Sequence, residues 1–277
     1  MKLVILGFVL CLILLNGCRR VDMRNQNGTL SQIKKISGEQ WNNFAQKRIF
    51  FGHQSVGFNI VDGVNSICSN SINVKLNIKE TKDARHFEEA VIAHNKIGVN
   101  KDPISKIEDF RSIMESGVGD KVDMAFLKLC YVDIADSAQV GKIFNYYQDT
   151  ISRLQSKYPH VLFLHVTVPV TSIPRGIVYS VKKFAGLQAD TSLNNIPRNE
   201  YNELLRNKYG DSVIDLARYE STGPNGQKCF FAVSGKTYDA LLPGYTYDGG
   251  HLNDLGKEVV GACFLLDLVN KSNNLRN

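Results

Sequence analysis

The chain is poor in the features that stapled, metal-built or nucleic-acid-binding domains depend on. It has six cysteines in 277 residues and no Cys-x-x-Cys pair. The spacing of the six is wide and irregular, which argues against a zinc site. Lys and Arg cluster on no single element, and no nucleic-acid motif occurs. The net charge of +6 therefore reads as solubility plus some preference for anionic surfaces, with no nucleic-acid partner. No apolar run reaches the roughly 20 residues of a comfortable membrane span. No linker divides the middle of the chain. An apolar fraction of 43% against 22% charged residues fits one globular domain whose core needs no staples.

The N-terminus stands apart from that domain. Lys2 precedes an apolar run over residues 3–15, followed by Asn16, Gly17 and Cys18. A positive start, a short apolar stretch and a small residue before the break mark a secretory signal. Leu15-Asn16-Gly17-Cys18 resembles a bacterial lipobox, which makes residues 1–17 the signal peptide and Cys18 the lipidated residue. An uncleaved anchor is the alternative. Either way the domain is exported and tethered to the cell envelope, at the outer membrane or cell surface, since no Asp follows Cys18. Residues 18–36 are polar and read as a flexible tether; the domain itself spans 37–277. Cys68, Cys130, Cys229 and Cys263 would allow two disulfides in three pairings in an exported domain. Cys130 and Cys263 also sit in apolar runs that suit buried thiols.

Apolar periodicity divides the domain into alternating strands and helices. Strands are expected at 47–51, 74–78, 124–127, 161–166 and 213–216. Helices are expected at 56–67, 105–115, 140–158, 198–209 and 257–269, with another starting at Ser37. Residues 83–103 read as irregular, 169–195 as an insertion over the sheet, and 219–246 as an excursion with a small hairpin near 229–233. The run 161–166 is apolar on both faces, as a central parallel strand should be. This alternation predicts a three-layer α/β/α sandwich with a central, mostly parallel sheet. Right-handed crossovers then bring the C-terminal ends of the strands to one rim, where ligands bind in such folds.

Two stretches at that rim carry chemistry. Asp248-Gly249-Gly250-His251-Leu252-Asn253-Asp254-Leu255-Gly256 places an acid and an imidazole three residues apart. A carboxylate so placed fixes the tautomer of a histidine and stabilises its protonated form, which suits a general base. Its nucleophile is expected upstream, where Ile49-Phe50-Phe51-Gly52-His53-Gln54-Ser55-Val56-Gly57 ends an apolar run at a Gly-flanked serine. Ser55, His251 and Asp248 are thus expected to form a hydrolytic triad. The alternative is a hairpin loop at one end and an ordinary strand-to-loop turn at the other.

The arrangement resembles the SGNH/GDSL hydrolase family over roughly residues 47–269. The C-terminal block matches the family's Asp-x-x-His followed by Asn and Gly. The first block departs from Gly-Asp-Ser, because Gly52-His53-Gln54-Ser55 sets the serine one residue later. The family's Gly-x-Asn-Asp run is reduced to the last Asp in Cys130-Tyr131-Val132-Asp133. Gly98 and Asn100 are the expected substitutes as oxyanion and substrate-binding donors. The resemblance implies a flavodoxin-like layering and a serine esterase that needs no metal or cofactor. With an exported location it implies an ester on a carbohydrate, such as an O-acetyl group. A non-catalytic carbohydrate-binding lipoprotein on the same fold and an O-acyltransferase are the competing functions.

Other polar residues have plainer readings. His53 is expected to satisfy itself locally in the turn, and His165 to be a bonded core histidine. Lys128, odd in an apolar strand, is expected to pair with Asp133 or Asp123, or to reach the rim. Tyr131, Tyr245 and Tyr247 either stack on a sugar or cap the core.

Overall fold

The computed structural model describes residues 27–72, 74–174 and 191–273. Two helices lead in, α1 (Asn27–Ile33) and α2 (Gly38–Ala45). Ser37 starts the second with a reciprocal capping box: its side chain accepts from the Gln40 N–H, and the Gln40 side chain accepts from the Ser37 N–H. The chain then alternates through β1 (Arg48–His53), α3 (Val56–Ile67), β2 (Ile78–Glu80), β3 (Val91–Lys96), α4 (Pro103–Ile113), β4 (Met124–Leu127) and α5 (Ser137–Lys157). It continues through β5 (Leu162–Phe163), β6 (His165–Val166), α6 (Asn195–Tyr209), β7 (Val213–Ile214) and α7 (Leu216–Ser221). A hairpin of β8 (Phe230–Val233) and β9 (Lys236–Asp239) precedes the closing helix α8 (Asp254–Asn273).

Five strands form a parallel sheet in the order β2-β3-β1-β4-β5. β6 pairs in parallel with β7, so the run 161–166 joins β4 through its first half and β7 through its second. Helices cover both faces, giving the three-layer α/β/α sandwich. Side chains alternate across β1, and this decides what each face buries. Ile49 and Phe51 enter the core beneath α3 and α8, with Ile60 and Leu265. Phe50 enters the opposite core beneath α4 and α5, stacked on Phe110. Each fully buried phenylalanine contributes about 1.5–3 kcal/mol of apolar transfer.

Several elements differ from expectation. Of the flexible tether expected over 18–36, residues 27–33 instead form α1, whose Ile33 is fully buried in the core beneath α8. The strand expected at 213–216 is only Val213–Ile214, because Leu216 already begins α7. β3 lies within the stretch read as irregular, because its second half, His94-Asn95-Lys96, is polar. Parallel pairing to β1 on one side and β2 on the other holds it in the sheet. β2 is Ile78–Glu80, not 74–78: the alternation there follows a loop surface, and pairing begins only where the backbone reaches β3. β1 runs on through His53, since Gly52 and His53 still pair with Asn95 and Lys96. Most of the expected 169–195 insertion lies outside the described residues.

α3 and α8 pack side by side with almost no side chain between them. A Cβ on Gly63 would meet the Lys257 carbonyl oxygen at 2.0 Å, and one on Gly261 would meet Gly63 Cα at 3.0 Å. Lys257 also pairs with Asp62 across the contact at 3.0 Å. Both helices start at the same rim, so the residues before them, Ser55 and the Asp248–His251 loop, are brought together.

Candidate active site

Ser55 occupies the turn between β1 and α3. Its backbone lies at φ 54° and ψ −115°, a left-handed conformation that costs a non-glycine residue about 1–3 kcal/mol. Neighbours hold it there. The Gln54 side chain donates to the carbonyls of Ile97 (2.5 Å) and Gly98 (2.6 Å). The Gly57 N–H donates to the Gln54 carbonyl and the Phe58 N–H to the Ser55 carbonyl. Residue 57 has to be glycine, since a Cβ would meet the His53 ring at 2.4 Å. The Ser55 hydroxyl stands over the N-terminus of α3. Among the described residues neither the Ser55 nor the Val56 N–H meets an acceptor.

The acid–histidine loop is built around Asp248. One carboxylate oxygen accepts from the Gly250 and His251 N–H groups, at 2.9 and 2.8 Å. The other lies 2.6 Å from His251 Nδ1. Gly249, at φ 89°, supplies the left-handed turn, and its carbonyl accepts from the Ser172 N–H. Asn253 caps α8 by accepting from the Gly256 N–H. Asn59, on α3, accepts from the Leu252 N–H at 3.1 Å. The loop is thereby fixed to the helix that carries the serine.

Across these two pieces His251 Nε2 lies 2.7 Å from Ser55 Oγ. With a carboxylate at Nδ1 the proton belongs on that nitrogen, which leaves Nε2 as acceptor for the hydroxyl. Partial burial pushes the Asp248 carboxyl up. The His251 ring and the two backbone N–H groups outweigh this and hold it well below the usual carboxylate range. The His251 and Asp248 side chains are 45% and 55% exposed, so water reaches the site. The structure therefore brings Ser55, His251 and Asp248 into one hydrogen-bonded chain.

Several expected contacts are replaced by others. The Gly98 N–H is engaged by the Asp109 carboxylate at 2.9 Å, so it is no oxyanion donor. The Asn100 side chain accepts from Lys106 Nζ, beside the buried Lys106–Asp133 ion pair, not from the serine region. His53 lies in the sheet, fully buried, and bonds His94 at 3.0 Å; it is not a locally satisfied turn residue. Lys128 pairs with neither Asp133 nor Asp123, which are engaged by Lys106 and Arg48. Its ammonium is wholly buried and donates to Cys130 Sγ at 3.4 Å. His165 bonds the Tyr147 hydroxyl within the core, as expected. Tyr245 is core, whereas Tyr131 lies edge-on to His251, and Tyr247 is 83% exposed. Cys68, Cys130 and Cys263 are free thiols, so the four cysteines of the domain do not pair with one another, although Cys229 is itself disulfide-bonded.

Gln54 and Asn59 escaped sequence reasoning. Each holds a turn through one side-chain amide, and neither sits in a pattern that would mark it. Among the described residues no three His, Cys, Asp or Glu side chains converge as metal ligands would. No helix among them is long and apolar enough to cross a membrane, and Cys18 with the run 3–15 lies outside them.

Fold and site together define the class: a parallel α/β/α sandwich with a Ser–His–Asp hydrogen-bonded chain at the C-terminal rim of its sheet. No family model matches the chain, and no curated protein sequence does. The fold is similar to that of a Streptococcus pneumonia protein provisionally described as a platelet activating factor. That match has 15% identity, covers 89% of this chain and 94% of the other, and has a TM-score of 0.45. Another solved neighbour is the periplasmic domain of a lipopolysaccharide acetyltransferase from Salmonella ser. Paratyphi A. It shows 10% identity over 86% of this chain and 95% of its own, at a TM-score of 0.42. A third, from Desulfitobacterium hafniense, is provisionally described as a lipolytic protein of the G-D-S-L family. It shows 10% identity over 79% and 98%, at 0.39.

Proposed function

We propose that the protein is a serine esterase acting through Ser55, His251 and Asp248. The observation that carries this reading is the unbroken chain of contacts, 2.7 Å from Ser55 Oγ to His251 Nε2 and 2.6 Å from His251 Nδ1 to Asp248. In the proposed reaction His251 accepts the Ser55 proton as Oγ attacks an ester carbonyl. The protonated ring then gives that proton to the departing alkoxide. Water, activated by the same histidine, attacks the acyl-serine and restores the enzyme. Asp248 holds the ring in the required tautomer. The N–H groups of Ser55 and Val56, at the positive end of α3, are the donors for the oxyanion, in place of Gly98. One such donor is worth about 3–4 kcal/mol in the transition state.

The substrate we infer is an O-acyl ester, such as an acetyl ester, on a carbohydrate. Exposed Tyr247 and the Tyr131 ring flank the site as surfaces on which a sugar can stack. We also infer that Cys18 is lipidated and tethers the domain to the cell envelope; labelling with a radioactive fatty acid, lost in Cys18→Ser, tests that.

A fluorophosphonate probe tests the chemistry. Wild type should label covalently, and Ser55→Ala and His251→Ala should not. A folded wild type that neither labels nor releases 4-nitrophenol from its acetate ester is no esterase. Release of free acetate from an acetylated glycan, with no transfer to an added sugar, separates hydrolysis from acyl transfer.

A further inference from the structure

Beside the Asp248–His251 loop lies an open cavity of about 580 Å3, walled by Tyr131, Thr171, Ser172, Tyr247 and Gly249. Arg198, on α6, also lines it, although only 4% of its surface is exposed. The guanidinium is held by neutral groups. Its Nε donates to the Tyr131 carbonyl at 2.7 Å, and its Nη1 to Thr171 Oγ1 and Asn195 Oδ1, each at 2.8 Å. The Tyr131 ring lies 5.5 Å from its central carbon. Nη2, with two N–H bonds, meets no acceptor among the described residues and is not sealed from the cavity.

A buried cation without a counter-ion is costly, and buried charges are ordinarily paired. Among the described residues no carboxylate comes within ion-pair distance of Arg198. Glu220 is close enough to be felt electrostatically, but its own burial pushes its carboxyl up to about 8, so at neutral pH it supplies little negative charge. Asp248, which also lines the cavity, has both oxygens engaged by the His251 loop. Burial also pushes the guanidinium down, to about 10, and an anion in the cavity would relieve that penalty. The remaining wall, with the hydroxyls of Thr171 and Ser172 and the faces of Tyr131 and Tyr247, suits a hydroxylated ring rather than an acyl chain.

We propose that this cavity seats the sugar of the substrate and that Arg198 Nη2 receives a carboxylate on that sugar, so the enzyme acts on esters of an acidic glycan. This rests on the reading of Ser55 as the nucleophile, joined through His251 to Asp248, which lines the cavity. With Nε and Nη1 held by three bonds, the guanidinium plane is fixed, and Nη2 is pre-organised to donate to a carboxylate oxygen.

Calorimetric titration of full-length Ser55→Ala protein tests this apart from catalysis. Galacturonic acid should bind at least about tenfold tighter than galactose, the effect of one charge-assisted contact. In Ser55→Ala/Arg198→Met that preference should fall below about twofold, because the remaining wall does not distinguish the two sugars. Should Arg198→Met not fold, Arg198→Lys keeps the charge without the fixed planar donor, and the preference should drop at least about threefold. Equal affinities, a preference that survives the substitution, or absence of sugar binding overturns the proposal. Tighter binding of galactose 6-phosphate than of galacturonic acid overturns the carboxylate assignment. Fluorophosphonate labelling of wild type reports on Ser55 separately: labelling without acid preference sinks only this inference, and acid preference without labelling sinks only the esterase.

Discussion

Asp248 does two things at once, and a single substitution separates them. Its inner oxygen shapes the loop through the Gly250 and His251 N–H groups, while its outer oxygen faces His251 Nδ1. Asn in its place can still accept from the loop, but its NH2 would face Nδ1 and favour the proton on Nε2. A protonated Nε2 cannot take the Ser55 proton. Asp248→Asn should therefore keep its folded state and lose about 10³–10⁴ in kcat on 4-nitrophenyl acetate, with KM little changed. A loss below about tenfold would assign Asp248 to loop shape alone. Ser55 and His251 were legible because an acid three residues from a histidine, and a serine at the end of an apolar run, are local patterns. Gln54 and Asn59 were not, because a lone amide announces its partner only in three dimensions. Gly98 misled for the same reason: its N–H is satisfied by Asp109, eleven residues on, across the start of α4.

At the scale of elements, the site depends on how closely α3 approaches α8. Gly63 has no room for a methyl group, and the obstacle is the Lys257 backbone carbonyl at 2.0 Å, not a side chain that can turn away. Gly63→Ala should push the helices apart, cost about 1–3 kcal/mol in urea denaturation, and lower kcat/KM by more than about tenfold as Ser55 leaves His251. Gly141, on α5, has nothing within 4 Å of its would-be Cβ. Gly141→Ala should instead stabilise by about 0.5–1 kcal/mol with unchanged activity. If both variants behave alike, close helix packing is not what aligns the site. Periodicity located both helices, yet nothing in it says that they touch, since contact follows from sheet order.

For the whole molecule, buried titratable groups set a pH of greatest stability. Burial pushes His53 down to about 2, with Lys128 and His94 adding to the effect, and burial pushes His165 down to about 3. Between those values and 6.5 the unfolded chain binds protons that the folded one refuses, so stability falls as pH falls. Glu220 acts the other way. Burial raises it from 4.5 to about 8 against the Val170 N–H, Lys128 and Arg198. The folded chain keeps that proton after the unfolded one has lost it, so stability falls as pH rises through this window. Burial also pushes His94 down, so from 4.5 to 6.5 the histidines outnumber the one glutamate and stability rises with pH; above 6.5 the glutamate acts alone. Urea midpoints should therefore peak near pH 6.5, and Glu220→Gln should flatten the decline toward pH 8, which otherwise amounts to about 1 kcal/mol per pH unit. Parallel curves for the two proteins would show that Glu220 is not the group responsible.

The layered α/β class, most helix positions and the two local patterns, a serine ending an apolar run and an acid three residues before a histidine, follow from local periodicity and motif spacing. Those patterns need only neighbouring residues to be read. Tertiary structure alone decided that β3 belongs in the sheet, that His53 and Lys128 are buried, and, among the described residues, which N–H groups at the rim stay open and that no carboxylate pairs with Arg198 at its cavity. Each of these depends on which distant backbone lies alongside, and hydrogen-bond satisfaction and burial are properties of that neighbourhood, not of the residue.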